Sequence, residues 1–174
     1  AMRLINTRFA NESKFFWDER AASLEAQTTQ PIRNHGEMGY SGTNGDQSFS
    51  DLITKLNGIG YYKELFQFVY GSDEITESKI QLALGQFIRS IQSFDSKYDI
   101  GRAQVNNDNQ PFPNFTATEN QGKTLFITAP VFNAAGIRTT GGLGCNACHN
   151  APEFDIDPNT LNNGIIGIAN SANG

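Results

Sequence analysis

Apolar residues return at helical spacing between Ser50 and Tyr98. Leu52, Ile53 and Leu56 mark a short helix, and Tyr62, Leu65, Phe66 and Val69 mark a second after the Gly58-Ile59-Gly60 break. The third is the clearest: Ile80, Leu84, Phe87, Ile88 and Ile91 recur at i, i+4, i+7, i+8 and i+11, which predicts one buried face. Thr76 suits its N-cap, and Glu77 complements the positive end of the helix in its first turn. Upstream, the mixed aromatic and charged run Phe15-Phe16-Trp17-Asp18-Glu19-Arg20 leads into a helix from Ala21 to Gln27, which Pro31 should end or redirect. The stretch from Gly36 to Gly45, with Gly39, Ser41, Gly42 and Asn44, suits turns and a functional loop.

Asn106 to Pro113 is polar, lacks periodicity and carries two prolines, so it reads as a linker. We place a domain boundary there, giving residues 1–105, a linker over 106–117 and a second domain over 118–174. Thr118 stands three residues before Gln121, a capping-box spacing that opens a helix through Phe126. Beyond it the chain is rich in Gly and Thr, and no run alternates as a strand would. The expected fold is therefore mainly α.

A length of 174 residues with 38% hydrophobic and 11% aromatic content is enough for a real core. No window is long and apolar enough for a membrane span. The start, Ala1-Met2-Arg3-Leu4, carries no targeting signal, and an alanine before a methionine reads as a cloning scar on a piece of a longer protein. The net charge of −5, with signs interspersed, disfavours nucleic acid as a partner.

The two cysteines change the picture, because they form a single motif, Cys145-Asn146-Ala147-Cys148-His149. Two cysteines at this spacing on a tight turn can each form a thioether to a haem vinyl group, and the histidine that follows is held under the iron as an axial ligand. Two rivals exist. A thioredoxin-like pair wants a strand before the motif, whereas Gly141-Gly142-Leu143-Gly144 precedes it here; a zinc site needs two further ligands, and only His35 offers another imidazole. Covalent haem is the favoured reading, and it implies a compartment outside the cytoplasm.

A second set of residues carries a family resemblance. Phe16-Trp17-Asp18-Glu19-Arg20-Ala21, Ser23-Leu24-Glu25-Ala26-Gln27, Pro31-Ile32 and Asn34-His35-Gly36-Glu37-Met38-Gly39 resemble the core motif run of the bacterial di-haem cytochrome c peroxidase and MauG family. Glu119 to Phe126 followed by the cysteine motif resembles the opening of that family's second haem domain. One departure is the roughly twenty residues between Gly122 and Cys145, longer than in many members.

The resemblance implies cytochrome c-like haem domains. Residues 1–105 would be the C-terminal part of a peroxidatic domain, and residues 118–174 the N-terminal part of an electron-entry domain. It also implies a periplasmic enzyme that reduces hydrogen peroxide with electrons from a small donor protein, a cytochrome c or a cupredoxin. Cys145, Cys148 and His149 would hold the electron-entry haem, Trp17 would relay electrons between haems, and Glu37 would stand over the peroxidatic iron in a pocket lined by Gln27 and Pro31. Cleaving a peroxide O–O bond needs a group that takes a proton from one oxygen and returns it to the other, which a carboxylate can do. By themselves Glu37 would read as a solvated loop residue and Trp17 as core packing, and His35 and Met38 match no ligand position.

Two haem c groups are expected and this chain has one attachment site, so the chain reads as the middle of a two-domain protein, not active alone. Calcium between the domains and a homodimer are further implications, with no calcium ligand assignable. The alternatives are a MauG-like oxidase acting on a protein substrate and a monohaem electron-transfer cytochrome.

Overall fold

A computed structural model describes residues 4–10, 14–16 and 18–156. Among these the chain is mainly helical and divides into two compact units, the first running to Ile91 and the second from Gln92 onward; the N-terminal piece around Asn6 belongs to the second.

The first unit is built from α1 (Leu24–Thr28), α2 (Gln30–Arg33), α3 (Phe49–Asn57), α4 (Gly60–Tyr70) and α5 (Glu77–Ser90). Ser23 caps α1 by accepting from the Ala26 N–H. Pro31 redirects the chain, as its fixed φ requires, by sitting in the first turn of α2, where a missing N–H costs nothing. Ser48 and Asp51 form a capping box on α3, and Thr76 caps α5 by accepting from the Lys79 N–H. The core gathers Ile32, Phe49, Phe66, Ile75 and Ile80, with Leu52, Leu56, Tyr62 and Leu84 packed around it. A smaller cluster of Phe15, Ala21 and Leu24 packs with Ile88.

Two apolar stripes are narrower than their periodicity predicts. Phe87 is 65% exposed on α5, and Leu65 and Val69 are exposed on α4, where Phe66 alone of its stripe is buried. Periodicity marks which residues share a side, but a helix buries only what a neighbour covers. Glu25 of α1 receives a 2.5 Å hydrogen bond from Arg89 of α5, which holds the Glu25 carboxyl below the usual carboxylate range. Gly85 permits that approach, since a Cβ there would stand 3.0 Å from the Glu25 carboxylate.

The second unit holds α6 (Lys97–Arg102), α7 (Ala117–Ile127) and four short strands, β1 (Pro130–Phe132), β2 (Arg138–Gly141), β3 (His149–Asn150) and β4 (Asp155–Ile156). The strands are a minor part of a mainly helical chain, and no alternating run in the sequence marks them. β1 and β2 pair antiparallel with a bulge between Val131 and Phe132, and β3 pairs with β4. They are too short to show alternation in sequence. The cap of α7 is also corrected: the capping box is Thr116 with Glu119, not Thr118 with Gln121. Glu119 wins because its carboxylate accepts from the Thr116 N–H at 2.7 Å while also gripping the Lys97 ammonium, which pulls its pKa down to about 2.

The proline-flanked stretch expected as a linker packs inside this unit. Phe112 is 1% exposed, with its ring beside Tyr98 and Phe115, and the Asn120 side chain bonds both its N–H and its carbonyl. Compactness divides at Ile91/Gln92, upstream of residues 106–117. Local polarity hid this, because one aromatic anchor is enough to bind a polar loop to a core. Phe112→Ala is expected to destabilise the second unit by about 3–5 kcal/mol, the usual cost of emptying a buried aromatic site. Denaturant unfolding checks it, and a loss under about 1 kcal/mol would show that the loop is not anchored there.

Candidate functional site

Two separate sets of residues carry candidate chemistry, one in each unit. In the first, α2 ends in a turn built by Asn34. Its side chain accepts from the Gly36 N–H, its carbonyl accepts from the N–H groups of Glu37 and Gly39, and the Pro31 carbonyl accepts from the Met38 N–H. Gly39 closes the turn with a φ of 70°, where a side chain would be strained. The turn sets Glu37 at a pocket of about 220 Å³ lined by Phe16, Arg20, Gln30, Pro31, Arg33 and Asn34.

Both arginines are held in place. Arg20 stacks 3.5 Å from the Phe16 ring, bonds Gln30 and pairs with Asp18; Arg33 forks onto Glu77 and lies over Phe49. The arrangement is a carboxylate beside two fixed cations, suited to a small polar ligand and to moving a proton. Pro31 and Glu37 come together here, whereas Gln27 is buried in α1 and does not line this pocket. Trp17 lies outside the described residues. Sequence reasoning gave no role to Arg20 or Arg33, although Arg20 stands inside the motif run.

His35, which matches no ligand position, braces the same loop. Its Nδ1 lies 2.9 and 3.0 Å from the two Asp46 oxygens, and the Ser41 hydroxyl donates to Asp46 at 2.6 Å. The Ser41 and His35 hydrogen bonds hold the Asp46 carboxyl below the usual range.

In the second unit the long connection before Cys145 is a β-hairpin that returns to its starting helix. The Leu143 N–H bonds the Leu125 carbonyl at 2.6 Å and the Gly144 N–H bonds the Thr128 carbonyl at 2.9 Å, satisfying carbonyls that the end of α7 leaves open. Gly142 makes this possible, because a Cβ there would collide with the Leu125 and Thr128 carbonyl oxygens. Cys145–Ala147 then forms one 3-10 turn against α7, with the Cys148 N–H bonding the Cys145 carbonyl at 3.2 Å. Both thiols are free, Cys145 half-buried and Cys148 exposed.

His149 Nδ1 lies 3.3 Å from the Phe154 carbonyl oxygen. A carbonyl can only accept, so Nδ1 is the donor in a hydrogen bond here, and in a neutral ring that leaves the Nε2 lone pair for a metal. His149 and Asn146 line a cavity of about 810 Å³, together with Tyr98, Phe115, Phe126, Ile127 and Phe154, and with Asp108, Glu119 and Lys123 as its charged members. This size, with four aromatic rings in a wall that also carries asparagines and charged side chains, is enough for a cofactor. Two thiols on one turn, a histidine whose Nδ1 faces a carbonyl and a cavity with aromatic walls at that histidine fit a covalently held haem. Among the described residues no three His, Cys, Asp or Glu side chains gather as a metal site would need.

Comparison with known proteins gives relatives for the chain, the family model ending before this donor set. A family model described as di-haem cytochrome c peroxidase matches residues 1–107. The chain is 32% identical over 139 residues to cytochrome c551 peroxidase of Nitrosomonas europaea, covering 79% of the chain and 33% of that protein. It is 30% identical to the methylamine utilization protein MauG of Methylophilus methylotrophus over 145 residues, 83% of the chain and 36% of that protein. It is also 30% identical to MauG of Methylorubrum extorquens over 144 residues, 82% of the chain and 33% of that protein. The chain spans about a third of the length of these relatives.

Proposed function

Because the chain belongs to the di-haem cytochrome c peroxidase family, an oxidoreductase family whose cofactor is haem c, we propose that it is the central part of a periplasmic peroxidase. The reaction is the two-electron reduction of hydrogen peroxide, with two protons, to two molecules of water. The electrons come from a small redox protein, a cytochrome c or a cupredoxin. The observation that carries this reading is His149, whose Nδ1 is committed to the Phe154 carbonyl and which lines a cavity of cofactor size beside two free thiols.

Cys145 and Cys148 would form the thioethers and His149 Nε2 would ligate the iron; bound there, haem c supplies reversible one-electron chemistry. Residues 118–174 would then be the electron-entry side and residues 1–105 part of the peroxidatic side, with Trp17 as relay. Glu37 Oε takes a proton from one peroxide oxygen and gives it to the departing one, while Arg20 and Arg33 offset the charge that develops. Pro31 shapes that pocket, and Gln27, buried in α1, is left without a part in it. The partner haem has no Cys-x-x-Cys-His in this chain, whose two cysteines are both spent on the first.

A MauG-like oxidase acting on a protein substrate is the second reading, since two of the relatives are MauG proteins. The natural protein containing this chain, matured with a periplasmic cytochrome c system, separates them. A peroxidase oxidises two equivalents of a reduced one-electron donor protein for each peroxide consumed. Consumption of peroxide only with oxidation of a protein side chain would replace this reading with the oxidase. Reversible one-electron cycling with no peroxide consumed would leave a simple electron carrier.

A further inference from the structure

One wall of the second-unit cavity is a loop without regular structure, residues 105–110, yet its fastening is unusually dense. Arg102 donates to the Val105 carbonyl at 2.8 Å and the Asn106 carbonyl at 3.3 Å, and its Nε lies 3.4 Å from the Asp108 carboxylate. The Tyr98 hydroxyl donates to the other Asp108 oxygen at 2.5 Å. Lys123 donates to the Asp108 and Gln110 carbonyls and lies 4.1 Å over the Phe112 ring. Tyr98, Asp108 and Lys123 all line the cavity. The Tyr98 ring also packs 4.8 Å from the ring of Phe154, the residue whose carbonyl orients His149. Burial first, and then the Asp108 carboxylate, raise the Tyr98 pKa, so the phenol stays a donor.

We propose that Asp108, clamped in the cavity wall by Tyr98 and Arg102, is a charge that sets the reduction potential of the haem at His149. This rests on the haem reading of the cavity. The physical reason is simple: losing an electron makes the haem one unit more positive, and a carboxylate in a partly desolvated wall favours that oxidised form. Asp108 therefore lowers the potential. Lys123 and Arg102 oppose it and Glu119 assists it, but Glu119 is neutralised by Lys97 at 2.6 Å. Asp108 is a positioning charge, touching neither the iron ligand nor a reacting atom.

The test uses potentiometric titration of the haem at Cys145 in the natural, matured protein. Asp108→Asn keeps an oxygen for the Tyr98 hydroxyl, and Lys123 binds backbone carbonyls, so the loop stays fastened while the charge is lost. It is expected to ease reduction about tenfold in equilibrium constant, an upward shift of about 59 mV for one electron. Tyr98→Phe leaves the charge less neutralised and is expected to move the potential down. An unmoved or lowered potential in Asp108→Asn overturns the proposal. So does an unchanged or raised potential in Tyr98→Phe, the latter being the mark of a merely loosened loop, and this arm decides alone if the first variant fails to mature. Absence of covalent haem at Cys145 in the unmutated protein would overturn the haem reading itself, and this inference with it.

Discussion

Replacing Cys145 and Cys148 together by serine is expected to remove one covalent haem per chain from the natural, matured protein. A thiol adds across a vinyl group to make a thioether, and a serine hydroxyl does not. The structure places both thiols on one turn braced by the Cys148 to Cys145 backbone hydrogen bond and by the hairpin return onto α7. The haem-to-protein ratio after acid-acetone extraction, which strips haem not held covalently, reads the loss. Full retention of the covalent haem would show that it is attached elsewhere and would remove the basis for reading the His149 cavity as its site. His149→Ala, by contrast, should keep the thioethers and change the spectrum of the iron, because one nitrogen ligand is gone. Unfolding by denaturant in the same preparations distinguishes loss of the bond from loss of the fold.

The second large effect is expected at Glu37. If its carboxylate moves the proton between the peroxide oxygens, Glu37→Gln should lower peroxide turnover by about 10²–10⁴-fold, the usual worth of a positioned acid-base group. The amide preserves shape and removes proton transfer. Because Glu37 is exposed at the end of an Asn34 turn and is not packed in the core, the unfolding midpoint should stay where it is. Steady-state turnover with a saturating reduced donor measures the effect. Unchanged turnover would assign Glu37 to the solvated surface and would leave the carboxylate beside Arg20 and Arg33 without a catalytic part.

Much of this was legible in the chain itself. The Cys145 to His149 motif, the family run from Phe16 to Gly39, the Thr76 cap and the helical stripes are all local, set by spacings that a helix or a turn converts directly into geometry. Sequence therefore determined that the protein is mainly helical, that it belongs with haem-bearing oxidoreductases and which side chains could hold the group. Tertiary structure decided what depends on contacts distant in sequence. It set the burial of Phe112 in an apparent linker, the exposure of Phe87, and the choice of Thr116 over Thr118 as the cap, made when Glu119 also found Lys97. It decided that the connection before Cys145 would fold back as a hairpin onto the open carbonyls of α7, that His149 would spend its Nδ1 on Phe154, and that Asp108 would join a cavity wall. Periodicity carries no record of these, because a side chain's surroundings are fixed by which segments come together and not by its neighbours along the chain.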